Sequence, residues 1–257
     1  HQNLDKLNRL LHRPSPTLSA ANGRGPIDTP SPTLSAAKGR GRRRLIVTDA
    51  VFSMDGDCAD LARLVELRDH HDAILIVDEA HATGVLGGTG AGLAEHQHVA
   101  GRIDITISTA SKALGSLGGI VTAAAPVIDE LINRARSFIY TTAAPPTQVA
   151  AIDAALDVLR DEPDRRHALH QRATQLRTAL RQRGWSIPDD PTPIVPLVVG
   201  RPDAALDLSQ RLDTAGFLAP AIRPPTVAPN TARLRLTCRA DHTTEHITAL
   251  VEAIGRP

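Results

Sequence analysis

Aromatic side chains are scarce in this chain of 257 residues: one Trp, one Tyr and three Phe make up 2% of it. Its core must therefore be built from Ala, Val, Leu and Ile. Cysteine is as rare. Cys58 and Cys238 lie far apart and in no metal-ligating spacing, which excludes a disulfide framework and a zinc ribbon and predicts two reduced thiols. No apolar run reaches the roughly 18 residues of a membrane span, and no signal-like segment opens the chain, so the sequence predicts a cytoplasmic protein. Charge of one sign is also lacking. The net charge is +1, which leaves nucleic acid and membrane surfaces without a global electrostatic pull. The remaining composition, 42% apolar and 22% charged, is that of an ordinary globular protein with room for a large domain and a smaller one.

Residues 1–44 differ from the rest. Leu4, Leu7, Leu10 and Leu11 have helical spacing, which predicts a short amphipathic helix. The segment Pro14 to Gly25 then recurs almost unchanged as Pro30 to Gly41, with Lys38 in place of Asn22. A short repeat rich in Pro, Ser, Gly and Ala buries no core, and it reads as a flexible insertion. The basic run Lys38, Arg40, Arg42, Arg43 and Arg44 that ends it reads as a solvated loop.

From Leu45 onward the pattern is regular. Strands are expected at 45–48, 73–77 and 103–108, with a helix at 61–70, as in βαβ units with a parallel sheet. Helices are expected at 147–159 and 167–183. A second unit follows, with strands at 194–199 and 233–237 and helices at 204–215 and 244–254, the last capped by Thr243 and closed by Gly255. In Arg233-Leu234-Arg235-Leu236-Thr237 the strict alternation puts both arginines on one face and the leucines behind. The expected organisation is a remnant helix plus flexible segment over 1–44, an incomplete large domain over 45–162 and a small α/β domain over 163–257.

Chemistry gathers at two strand ends. Asp78-Glu79-Ala80-His81 follows one apolar run and Ser108-Thr109-Ala110-Ser111-Lys112 another. The C-terminal edge of a parallel sheet is where ligands bind in open α/β folds. Asp78 can keep a pyridine nitrogen protonated, Lys112 can form an imine, and His81 can reach the same ligand. The four letters Asp-Glu-Ala-His also occur in a helicase motif, but that reading needs an upstream Gly-x-x-x-x-Gly-Lys-Ser/Thr, and none stands between His1 and Asp78.

Taken together, Val51 to Asp57, Asp78 to Val85 and Ser108 to Gly115 resemble the α-oxoamine synthases, which are pyridoxal 5'-phosphate enzymes of fold type I, the aspartate aminotransferase-like fold. Ala221 to Val227 and Thr231 to Thr237 extend the resemblance, which runs from about Leu45 to Ile254. It implies a partial large domain with a mainly parallel sheet, a small C-terminal α/β domain and a homodimer with its site at the subunit interface. It further implies that Lys112 holds the cofactor covalently, Asp78 meets the pyridine nitrogen, His81 the phenolic oxygen and Thr109 the phosphate. Ser53 is implied near the ring, and Thr141 or Thr142 at the phosphate of the partner subunit. Arg235 is implied for the amino-acid carboxylate, with Arg233 structural, and Thr226 for the substrate pocket.

The reaction implied is a decarboxylating Claisen condensation of L-alanine with pimeloyl-CoA or a pimeloyl-carrier protein. Condensation of glycine with acetyl-CoA is the alternative within the family, and Ile222-Arg223-Pro224-Pro225-Thr226 favours alanine. Compared with the family pattern, Asp49 stands where Glu is common. The resemblance also implies that a histidine stacking on the cofactor ring and a phosphate-cradling loop belong to family sequence ahead of His1. An inactive, truncated family fragment is therefore a further expectation to be tested.

Overall fold

The computed structural model describes residues 3–12 and 43–257. The tandem repeat, with Lys38, Arg40 and Arg42 of the basic run, lies outside the described residues. Helix α1 (Leu4–Leu11) starts at Asn3, whose Oδ1 accepts from the Lys6 amide at 2.7 Å. Strand β1 (Arg44–Asp49), helix α2 (Leu61–His71) and strand β2 (Ala73–Asp78) form the first βαβ unit. Asp60 caps α2 by accepting from the Arg63 amide at 2.9 Å, and Asp72 ends it in the left-handed conformation, φ 48°. A short helix α3 (Leu93–His96) and a 3-10 turn (Ala100–Arg102) lead to β3 (Ile105–Thr109) and β4 (Gly119–Ala123). Helices α4 (Ala125–Arg134), α5 (Arg136–Ile139), α6 (Pro146–Asp161) and α7 (Asp164–Gln182) follow. The chain closes with β5 (Ile194–Gly200), α8 (Pro202–Thr214), β6 (Ala221–Ile222), β7 (Ala232–Thr237) and α9 (Thr244–Ile254).

The first sheet runs β1-β2-β3-β4, parallel through β3, with β4 antiparallel at the edge. β3 begins at Ile105, two residues later than the sequence pattern suggests. Asp104 takes the place of a ladder residue: its Oδ2 accepts from the Leu75 amide at 2.8 Å. β4 was not anticipated, because it is short and follows a glycine-rich turn. The second sheet, β5-β7-β6, is antiparallel.

Alternation along β1 and β2 sends Ile46, Leu75 and Val77 into a core with Leu61, Leu64 and Leu67 of α2. The opposite face carries Leu45, Val47, Ile74, Ile76, Ile105, Ile107 and Val121 in register. Among the described residues little covers it: Leu45 is 59% and Val47 68% exposed. Helices α4, α5 and α6 likewise contain no buried residue. A second core lies between α7, α8, α9 and the antiparallel sheet, around Leu176, Leu197, Leu212 and Leu234. Among the described residues no helix is long and apolar enough to cross a membrane.

The two sheets meet at a tight seam. Thr192, fully buried, donates through Oγ1 to the Gly56 carbonyl at 2.7 Å, and Arg177 Nη2 donates to the Thr192 and Ile194 carbonyls at 2.7 and 3.1 Å. Gly56 has φ +73°, and a Cβ there would stand 2.5 Å from the Ile194 oxygen, so no other residue fits this crossing.

Glu79, inside the Asp-Glu-Ala-His run, is structural. It is 1% exposed, and its carboxylate accepts from the Leu93 and Ala94 amides at 2.9 and 2.8 Å, capping α3. Gly92 permits this, since a Cβ there would lie 2.7 Å from the carboxylate. Replacing Glu79 by Ala leaves two buried amides unpaired and should cost about 2–4 kcal/mol in urea unfolding. A cost below about 0.5 kcal/mol, the scale of an ordinary surface change, would mean that water satisfies those amides.

Candidate functional site

Parallel register sets the geometry of the site. Asp49 at the end of β1 is the partner of Asp78 at the end of β2, which in turn pairs with Ile107 of β3. Both carboxylates thus share the open sheet face at its C-terminal edge. Asp78 Oδ1 accepts from the Ala80 amide at 2.8 Å, which fixes the carboxyl and starts the turn that carries His81. Loss of water and the neighbouring Asp78 charge raise the pKa of Asp49 above the usual carboxylate range, against the pull of Lys112. Beyond β3 the Ala110 amide donates to the Gly118 carbonyl at 2.9 Å, closing a loop that presents Lys112 to solvent. Thr109 Oγ1 lies 2.8 Å from Ser111 Oγ and 3.3 Å from the Gly118 carbonyl. Next to them Gly115 and Gly119 keep open space where a side chain would stand.

His81 is half-buried, and its pKa is pushed down to about 4, first by burial and then by the cations Lys112 and Arg235, with Asp78 opposing. At neutral pH it is an uncharged imidazole with one donor and one acceptor nitrogen. Arg235 arrives from the second sheet. Its Nε donates to the Ser53 carbonyl at 2.5 Å and its Nη1 to Thr237 Oγ1 at 3.2 Å. Arg233, two residues earlier on the same face, is buried and paired with Asp55. The alternation read from the sequence is therefore present, and it sends one arginine to the seam and the other towards the site.

His81, Lys112 and Arg235 line one cavity of about 840 Å³ between the two sheets. Its other walls include Val158, Leu159 and Arg166. Arg166 is held by the Leu159 and Gly88 carbonyls at 2.6 and 2.8 Å. Asp78, Asp49 and Thr109 stand on the sheet edge outside that cavity, and Ser53 takes part through its backbone oxygen. Thr226 and Thr142 are exposed and are not among the residues lining it. Thr226 sits in a turn with its amide on the Arg223 carbonyl at 3.0 Å. Thr237 escaped the sequence reading although the period of two that selects Arg235 selects it as well. Arg166 gave no signal, since a helical arginine looks solvated until its neighbours are known.

The set of groups suits pyridoxal phosphate: an acid for a ring nitrogen, an amine, a neutral imidazole, and hydroxyls beside glycine backbone for a phosphate. Because His81 binds fewer protons in the folded state than at its ordinary pKa of about 6.5 in the unfolded chain, stability should fall as pH drops from about 6.5 towards 4. Proton-detected NMR of the imidazoles should show His81 titrating near 4, and a midpoint near 6.5 would overturn this account of its surroundings.

Comparison with known proteins agrees with this geometry. The family model for aminotransferase class I and II matches residues 12–254. A protein of Geobacillus kaustophilus is 49% identical over 215 residues, 83% of this chain and 55% of its own length. The 8-amino-7-oxononanoate synthase of Methylococcus capsulatus is 45% identical over 213 residues, 82% of this chain and 55% of its own. The chain thus spans about half the length of the curated relatives it matches. The serine palmitoyltransferase of Sphingomonas wittichii superposes with a TM-score of 0.85 at 26% identity, covering 99% of this chain and 58% of that one. The 8-amino-7-oxononanoate synthase of Francisella tularensis gives 0.74 at 28% identity, covering 82% and 62%. With its fold-type-I architecture and the motifs of the α-oxoamine synthases, the chain belongs to the aminotransferase class I and II family.

Proposed function

We propose that this chain serves a pyridoxal-phosphate-dependent acyltransferase that condenses L-alanine with a pimeloyl thioester, on CoA or a carrier protein. Carbon dioxide and the free thiol leave, and 8-amino-7-oxononanoate, a precursor in biotin synthesis, is formed. The observation that supports it most is the convergence of neutral His81, Lys112 and Arg235 on one cavity beside the Asp78 edge, in a chain whose relatives carry that enzyme's name. When bound, pyridoxal phosphate supplies an electron sink for negative charge developing next to an amino nitrogen.

The chain's own residues supply the rest. Lys112 would hold the cofactor through Nζ; displaced by the amine of alanine, the freed Nζ would then take the α-proton. Asp78 holds a proton on the ring nitrogen, His81 hydrogen-bonds the phenolic oxygen, Ser53 borders the ring, and Thr109 binds the phosphate. Arg235, already oriented by the Ser53 carbonyl, grips the alanine carboxylate with its planar fork. Thr226 belongs to the substrate pocket in this reading. The apolar wall of Val158 and Leu159 suits the methylene chain of a pimeloyl group better than an acetyl group.

A homodimer in the cytoplasm completes the proposal. Phe138, Ile139 and Tyr140, exposed just before Thr142, form an apolar patch that a second copy would cover, bringing Thr142 to the partner's phosphate. Cys58 and Cys238, both outside any disulfide, suit a reducing compartment.

Titration of the purified chain with pyridoxal phosphate should produce a visible absorbance band that the Lys112→Ala variant lacks. Absence of a band in the unaltered chain would sink the catalytic reading and favour an inactive fragment. With the band present, Arg235→Lys should raise the KM for alanine about 10–100-fold, the loss of a charged bidentate contact. Turnover of glycine with acetyl-CoA in preference to alanine would favour the alternative reaction.

A further inference from the structure

Three histidines gather at the far end of α2 from the catalytic edge. His12 caps the C-terminus of α1, and His70 and His71 close α2. One ligating nitrogen from each lies within 4.8 Å of the others. The ring centroid of His12 is 5.6 Å from that of His70 and 4.5 Å from that of His71, and the last two are 4.7 Å apart. Nothing in the proposed reaction uses them.

Asn8 orients the buried member. Its Oδ1 lies 2.9 Å from His71 Nε2, and a carbonyl oxygen only accepts, so Nε2 carries the proton and Nδ1 keeps the lone pair. Metal-bound histidines commonly give their second ring N–H to such an oxygen. His71 is fixed by burial, whereas His12 and His70 are exposed and free to turn onto an ion.

Two helix C-termini end here, and their carbonyl dipoles favour a cation. Arg44, whose Nη1 donates to the His71 carbonyl at 3.0 Å, opposes one. That balance disfavours an ion held by charge alone and favours one bonded by imidazole nitrogen, as Zn²⁺, Ni²⁺ and Cu²⁺ are.

We propose that His12, His70 and His71 form a transition-metal site, with Zn²⁺ as the reference ion, that staples α1 to α2. Helix α1 otherwise rests on the core through Leu4, Leu7 and Leu11 alone among its apolar residues. An ion shared by both helices closes the long connection between them and stabilises the folded state by linkage.

Tag-free protein without added pyridoxal phosphate tests this independently of the catalytic reading. Calorimetry with Zn²⁺ should show one ion per chain that raises the melting temperature. The double variant His12→Ala/His70→Ala, both side chains being exposed, should keep the fold and lose that ion. Asn8→Ala should weaken binding about tenfold, as loss of an outer-shell partner does, and His96→Ala should leave it unchanged. No saturable Zn²⁺ binding, or binding equally tight in the double variant, overturns the proposal.

Discussion

Everything at the site depends on the in-register parallel pairing of β1, β2 and β3. Because Asp49 faces Asp78 across the ladder and Asp78 faces Ile107, the three strands finish at one edge, and the turns that follow them project their polar residues together. A slip of one residue would reverse every side chain, burying the carboxylates and exposing Leu75 and Val77. The apolar contrast between the two faces of β2 is what forbids it.

A cavity forms beside the edge where the second sheet is docked against the first. The seam is polar and specific: Gly56 against the Ile194 carbonyl, Thr192 on Gly56, Arg233 on Asp55 and Arg235 on Ser53. Arg235 illustrates the economy of the arrangement. The hydrogen bond that holds the sheets together also fixes the guanidinium beside His81, whose pKa the same cation helps to depress.

Glu79 and Asp78 show how two adjacent acids acquire different roles from one strand period. Asp78 points to the open face and stays available. Glu79 points inward, where burial raises its pKa and the Leu93 and Ala94 amides oppose that rise by binding the charged form. The open apolar face and the helices without buried residues accord with a chain that spans about half the length of its relatives.

The sequence by itself determined the parallel core, the helices with leucine periodicity and the grouping of Asp78, His81 and Lys112, because period and turn chemistry are local and the C-terminal edge of a parallel sheet follows from them. It also selected Arg235, since strict alternation on β7 left only two arginines to choose between. Tertiary structure alone paired Arg233 with Asp55 and set Arg235 at the cavity, left Thr226 and Thr142 out of its lining, revealed β4, and turned Glu79 and Arg166 into buried anchors. It also brought His12 to His70 and His71, from which the repeat separates it in sequence. These outcomes rest on contacts between residues remote in sequence, and no local pattern encodes which remote partner a polar side chain will meet.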